Sequence, residues 1–195
     1  MPPAWSSFPP DMDAHPPDPP EILFETRWLR VCRRGKWDYV ERAHGNGHAV
    51  VIVAATPDDR VLFVEQVRAA VGHRTIELPA GLVGDESAND TPEAAAVREL
   101  VEETGWKPAR VEVLVEGPTT PGMSNERAAI VRATGLVQVG AGGGTEHEDI
   151  TVHAVPRAEA AGWLMRKQAE GYSVDLKVWG GLWLLEHAPG DAPVD

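Results

Sequence analysis

From Ile22 onward, apolar and polar positions fall into short blocks whose spacing changes along the chain. ILFETRWLRVCRR (22–34) and KWDYVER (36–42) are rich in β-branched and aromatic residues and flank Gly35-Lys36, a pattern that predicts a β-hairpin. AVVIVAA (49–55) and RVLFVEQVR (60–68) read as two strands joined by the turn-forming Thr56-Pro57-Asp58-Asp59. TIELPAG (75–81) predicts a short strand running into a loop, and RVEVLVEG (110–117), ERAAIVRATGL (126–136) and ITVHAVP (150–156) further strands. Between the last two, VGAGGGTEHED (139–149) reads as a flexible glycine-rich loop. Helical spacing runs from Thr91 or Pro92 to Thr104, with proline tolerated at the first position and Gly105 suited to C′. Two more helices are predicted near 157–170 and 174–187, the second with Ser173 as N-cap.

The first twenty residues hold eight prolines and no apolar periodicity, which predicts a disordered or extended arm. The chain thus divides into an arm (1–20), an N-terminal β segment (21–44), a main domain (45–188) and a flexible tail (189–195), with no internal repeat. Strands dominate the middle and helices come singly, so the fold class is α+β, a mixed-sheet sandwich rather than a doubly wound sheet.

A length of 195 residues suits one main domain with a full core. No run approaches the roughly 18 apolar residues of a membrane span, and no basic-then-apolar leader is visible, so neither membrane insertion nor secretion is expected. The single cysteine, Cys32, cannot form an internal disulfide, in keeping with a cytoplasmic location. A net charge of −12 argues against nucleic acid as a partner. It leaves room for a small phosphate-bearing substrate, because bound cations can reverse the sign of a pocket.

The chemistry concentrates in RELVEETGW (98–106). On a helical wheel Ala94, Val97, Leu100, Val101 and Thr104 form the expected core stripe, with Glu99, Glu102 and Glu103 opposite. Glu99 and Glu103 stand at i,i+4 and repel one another, and all three acids crowd the helix end whose carbonyls are already negative. A hard divalent cation relieves both penalties by taking carboxylate oxygens as ligands. Arg98 stands four residues before Glu102, so these two can pair and leave Glu99 and Glu103 for metal.

That run resembles the core of the Nudix box, R-E-apolar-x-E-E-x-G-apolar. The resemblance implies an α/β/α sandwich with a mixed sheet, preceded by a small N-terminal antiparallel β hairpin or sheet. It also implies hydrolysis of nucleoside diphosphates linked to another moiety. By it, Glu99 and Glu103 are ligands of Mg²⁺ or Mn²⁺, and Glu102 shares metal or orients Arg98. The full box has its first glycine 14 residues before the arginine, whereas Gly81 of ELPAG stands 17 before Arg98. The loop therefore carries a three-residue insertion, and Asp90 replaces the family glutamate as a candidate cap of the helix start.

Other pieces resemble the ADP-ribose pyrophosphatase branch. VEQVR ending at Arg68, followed by ELPAG, implies that Arg68 binds phosphate while Glu77 and the Ala80 carbonyl approach the metals. TTPGMSNE (119–126) resembles a substrate-side loop, which makes Ser124 and Glu126 candidate contacts to ribose or the second phosphate. GGGTEHEDI resembles a mobile loop that closes on substrate, with Glu146 as general base and Glu148 as metal ligand. Trp28 and Trp37 are candidates for adenine stacking, and in the resembling dimers this N-terminal segment packs against the partner subunit. The implied reaction uses two or three Mg²⁺ ions held by Glu99, Glu103, Glu148 and the Ala80 carbonyl, and turns ADP-ribose into AMP and ribose 5-phosphate. GDP-mannose, another nucleotide sugar or a dinucleotide is the alternative substrate, and a non-catalytic binding module with this fold is the third reading.

Overall fold

Strand β4 (His48–Ala54) is buried on both faces, and its alternation assigns the two halves of the core. Val50, Ile52 and Ala54 point into one apolar cluster with Ala95, Ala96 and Leu100. Val51 and Val53 point into another with Phe63, Ile76, Leu164 and Val178. Side chains on a strand alternate between faces, so an unbroken apolar run needs cover on both sides. The cover is helix α1 (Pro92–Thr104) on one face and helices α2 (Arg157–Ala169) and α3 (Leu176–His187) on the other. This is the expected α/β/α sandwich. The computed structural model describes residues 19–44, 47–84, 90–145 and 148–188. Most of the proline-rich arm, part of the 81–98 loop, Glu146, His147 and the tail from 189 lie outside the described residues.

Four sheets are present among the described residues. The central ones are β7-β4-β10-β9 and β12-β5-β6-β13, using β5 (Arg60–Arg68), β6 (His73–Glu77), β7 (Ala80–Leu82), β9 (Arg110–Pro118), β10 (Arg127–Thr134), β12 (Thr151–Pro156) and β13 (Ser173–Val174). Both are mixed: β10 runs parallel to β4 and β13 parallel to β6, while the other pairs are antiparallel. A small pair joins β8 (Trp106–Lys107) to β11 (Val137–Gln138).

The N-terminal segment is the expected small antiparallel sheet, with three strands, β1 (Glu21–Glu25), β2 (Leu29–Arg34) and β3 (Trp37–Arg42). The stretch read as one long strand is broken at Thr26, whose hydroxyl accepts the amides of Trp28 (3.2 Å) and Leu29 (2.9 Å). β3 docks on the 119–126 loop: the Val40 amide donates to the Met123 carbonyl (2.8 Å) and Asn125 donates to Glu41.

Two further readings are corrected. α3 is capped by Asp175, whose carboxylate accepts the Lys177 amide at 2.8 Å, not by Ser173. Ser173 and Val174 instead pair with Thr75 and Ile76 of β6, so the helix cannot start before them. On α1 the buried positions are Pro92, Ala95, Ala96, Leu100, Glu103 and Thr104, while Ala94 is exposed and Val97 and Val101 are half-buried. Glu99 and Glu103 therefore sit in the middle of the inward arc, not opposite it. The small Ala95 and Ala96 let the helix approach β4 on that side.

Candidate active site

α1 begins at Thr91, whose hydroxyl accepts the Ala94 amide (3.2 Å), with Pro92 at the first helical position. Asp90 does not cap the helix. Its carboxylate accepts the Gly84 amide (3.3 Å) and an Nη1–H of Arg98 (3.0 Å), closing the loop onto the helix. Arg98 also donates to the Leu82 carbonyl (3.1 Å) and to Glu99 (3.3 Å), so its described bonds hold β7 to α1. The C-terminus ends as read, with Gly105 at φ 73 and its amide on the Val101 carbonyl.

The acids at that end are accommodated by the glycine-rich loop. Amides of Gly143 and Gly144 donate to the carbonyls of Glu103 (2.9 Å) and Glu102 (3.0 Å), and those of Val139 and Gly140 donate to Gly105. A Cβ on Gly142 would stand 2.4 Å from the carbonyl carbon of Thr104. Through Gly144 the loop is thus docked on the helix end, because the unpaired carbonyls at a helix C-terminus need donors. Glu148 of this loop turns back to accept the Thr145 amide (2.9 Å). Glu146 lies outside the described residues.

Register explains how β7 serves the site. Ile52 donates to the Pro79 carbonyl and Val83 to that of His48. With Val50 paired to Gly81 and Val51 to Ala80, the alternation of an antiparallel ladder turns the main-chain groups of Ala80 and Leu82 away from β4. The Ala80 amide accordingly donates to Glu103 (3.1 Å), and its carbonyl points the same way. Gly81 has a steric role: a Cβ there would lie 2.0 Å from Cδ of Glu99, so only glycine lets that carboxylate rest against the strand.

One cavity of about 560 Å³ gathers Arg68, Glu77, Ala80, Arg98, Glu99, Glu102, Glu126 and Glu148, all expected at the site. Glu103 lies just beneath, 4% exposed. Burial, reinforced by Glu99 and Glu148, pushes the Glu103 carboxyl up to about 8 against the opposing Ala80 amide and Arg68. Burial likewise lifts Glu99 to about 7, with Arg98 opposing and Glu102 and Glu148 adding to the rise. Among the described residues no three acids, histidines or cysteines are drawn into a ready-made cage. Even so, a mutually repelling, partly desolvated set of carboxylates with a main-chain carbonyl beside it is a donor set of hard oxygens that fits Mg²⁺ or Mn²⁺.

The opposite walls carry cations. Arg68 grips Glu77 with two bonds of 2.8 Å, and Thr75 donates to the same carboxylate. Burial alone would raise Glu77, but these bonds outweigh it and hold the group below its ordinary value. Glu77 is therefore bound to an arginine rather than turned to the helix acids. Arg42 binds Glu126 with bonds of 2.6 and 3.0 Å, and Thr119 donates to the other oxygen. Arg42, Thr119, Thr145 and Lys177 also line the cavity; Thr119 and Thr145 belong to the two loops expected there, whereas Arg42 and Lys177 carried no sequence signal, arriving from β3 and α3.

Ser124 and Trp37 are placed elsewhere. They line a second hollow of about 1000 Å³ between β3 and the 121–125 loop. Trp28 and Trp37 lie at opposite ends of the β2–β3 pair, both exposed, with Arg27 4.4 Å above one ring and Lys36 5.2 Å from the other. Neither lines the acidic cavity.

A family model for the NUDIX domain matches residues 45–174. The chain belongs to the NUDIX family. It is 40% identical over 119 residues to an ADP-ribose pyrophosphatase of Mycobacterium tuberculosis, covering 60% of this chain and 56% of that one. It is 31% identical over 130 residues to an ADP-sugar pyrophosphatase of Mus musculus, covering 58% of each. It is 36% identical over 88 residues to a methanol dehydrogenase activator of Bacillus methanolicus, covering 45% of this chain and 46% of that one. The chain thus spans about half the length of these curated relatives. The crystal structure of an ADP compounds hydrolase superposes with a TM-score of 0.65 at 20% identity, covering 86% of this chain and 90% of that one, a likeness of fold.

Proposed function

We propose that the chain hydrolyses the pyrophosphate bond of ADP-ribose or a related ADP-sugar, giving AMP and a sugar phosphate, with Mg²⁺ or Mn²⁺ as cofactor. The observation that carries this reading is one cavity with helix acids on one side and the Arg68 and Arg42 guanidinium groups on the others. A diphosphate diester bears two negative charges, and such a cavity offers both cationic contacts and metal-holding oxygens. Arg68 keeps its Nη1 edge without a bond among the described residues while Nε and Nη2 hold Glu77, which leaves a donor edge for a phosphate oxygen. Glu99, Glu103, Glu148 and the Ala80 carbonyl would hold two or three ions. Bound there, the metal supplies Lewis acidity, lowering the pKa of a coordinated water and offsetting charge on the phosphates. Arg98 keeps Glu99 in place against Gly81. Glu102, exposed at the cavity rim, shares in metal holding, and Glu146 takes the proton of the attacking water.

The names of the Mycobacterium tuberculosis and Mus musculus relatives support the ADP-sugar assignment. The apolar β1, exposed along its whole length at Ile22, Leu23 and Phe24, supports a homodimer through the N-terminal sheet. Trp28 or Trp37 would meet adenine from that sheet. Light scattering on the full chain reads the assembly, and a monomer removes that part of the proposal. A buried lone cysteine and the lack, among the described residues, of a helix able to cross a membrane are compatible with the cytoplasm as its location.

The decisive assay incubates the purified protein with Mg²⁺ and ADP-ribose, GDP-mannose or NADH, and separates the products chromatographically. Preference for ADP-ribose with AMP and ribose 5-phosphate as products is expected. Preference for GDP-mannose or NADH transfers the function to that class. Turnover of none favours the binding-module reading.

A further inference from the structure

Lys177 is a cavity residue without a role in the reaction just described. It sits in the first turn of α3, and two features fix its place. β13 pairs with β6, and the Asp175 amide donates to the Ile76 carbonyl (3.0 Å), so the start of α3 is sewn to the strand that ends in Glu77. Asp175 then accepts both the Lys177 amide (2.8 Å) and its Nζ (2.5 Å). The Lys177 side chain remains 40% exposed and lines the same cavity as Arg68 and Glu77.

The cavity has two distinct ends. Thr119 and Glu126 lie where β9 passes to β10, whereas Arg68 and Glu77 close β5 and β6 of the other central sheet. At one end Arg42, Thr119 and Glu126 adjoin the hollow that contains Trp37 and Tyr39, the side on which a base finds aromatic surface. At the other end stand Arg68, Glu77, Lys177 and the adjacent Asp175, and no aromatic residue lines either end of the cavity itself. That end is a chain of alternating cations and carboxylates already joined to one another. Its formal charge sums to zero, and it presents donors next to acceptors. Such a surface gains little from a further phosphate but matches hydroxyl groups, each of which donates once and accepts twice.

Resting on the function proposed above, we infer that Lys177, held by Asp175, is a specificity-determining residue that binds the hydroxyls of the non-nucleoside sugar. Lys177 touches the half of the substrate that leaves as sugar phosphate and takes no part in proton transfer.

The test is a cycle between residue and substrate group. Wild type, Lys177→Met and Lys177→Arg are assayed in Mg²⁺ with ADP-ribose and with the P²-methyl ester of ADP, which keeps the nucleoside and both phosphate charges but lacks the second sugar. For ADP-ribose, Lys177→Met raises KM by about tenfold with a much smaller change in kcat, the effect of losing one charge-assisted hydrogen bond. Lys177→Arg recovers most of it. For the methyl ester the same variants stay within about twofold of wild type. Equal losses on both substrates would place Lys177 on the phosphates or in the packing of α3, and no loss on either would leave it a bystander; each overturns the inference. If wild type cleaves neither compound, the proposed function fails first, and that result is separate because it is read before any variant is made.

Discussion

Glu103 shows how far a single residue's environment departs from its ordinary chemistry. It is buried, bonded to the Ala80 amide, and faces Glu99 and Glu148. Glutamine is nearly isosteric and its Oε1 can still accept that amide, while the charge and the ligand oxygen pair are lost. Glu103→Gln is therefore expected to lower turnover by at least about 10²-fold, in the range of losses from removing one preorganised electrostatic contact. It should also leave the melting temperature in chelator unchanged or raised, because a repelled buried charge has gone. A variant with most of its activity would remove Glu103 from the metal-holding set, and a large fall in melting temperature would mean that the carboxylate is structural. The motif itself was legible, since R-E-x-x-E-E is a spacing on one helix. Its orientation was not. The wheel gave weight to Val97 and Val101 and none to Ala95 and Ala96, yet the small side chains mark the close-packed face. The partners Arg68–Glu77 and Arg42–Glu126 stand nine and 84 residues apart, and pairing across that distance leaves no local trace.

At the scale of elements, glycine content in the 139–144 stretch reads as flexibility when only composition is available. In the structure the same glycines let the loop press its amides onto the last carbonyls of α1. Gly142 combines two demands: φ is +71, and a Cβ would intrude on Thr104 and Glu103 backbone. Gly171 provides a control, since its φ is +98 with open space around it. Gly142→Ala is expected to destabilise by more than Gly171→Ala, which carries only the backbone cost of about 1–2 kcal/mol. Urea unfolding of both variants measures the difference, and equal losses would mean that the loop is not pressed against the helix. The cap of α3 teaches the same point. Both Ser173 and Asp175 are good N-caps by type, and the choice between them was made by β6, which takes Ser173 and Val174 as a strand.

For the whole molecule, the layered sandwich was legible because strands dominate the middle of the chain and helices come singly, and the structure covers the buried β4 and β5 with helices. What joins the layers was not. Glu65 of β5 is 7% exposed and accepts Nε of Arg74 from β6 and Nε2 of His153 from β12, so one carboxylate ties three adjacent strands. Arg74 reaches on to Asp149, just before β12, and the Lys167 ammonium of α2 adds a further positive charge facing Glu65. Burial alone would raise the Glu65 carboxyl, but the bonds from Arg74 and His153 outweigh it and hold the group below its ordinary value of 4.5. A depressed folded-state pKa means that the unfolded chain binds the proton more readily. The stabilisation is therefore complete above about pH 4.5 and is lost as pH falls through the folded value. Glu65→Gln should melt at a lower temperature than wild type at pH 7, with the gap narrowing on acidification below pH 4.5 as wild type loses what the variant never had. Calorimetric scans from pH 7 to pH 3 read that gap directly. A gap constant across this range would show that the loss comes from packing alone, and that the three strands are held together by their ladders rather than by the carboxylate between them.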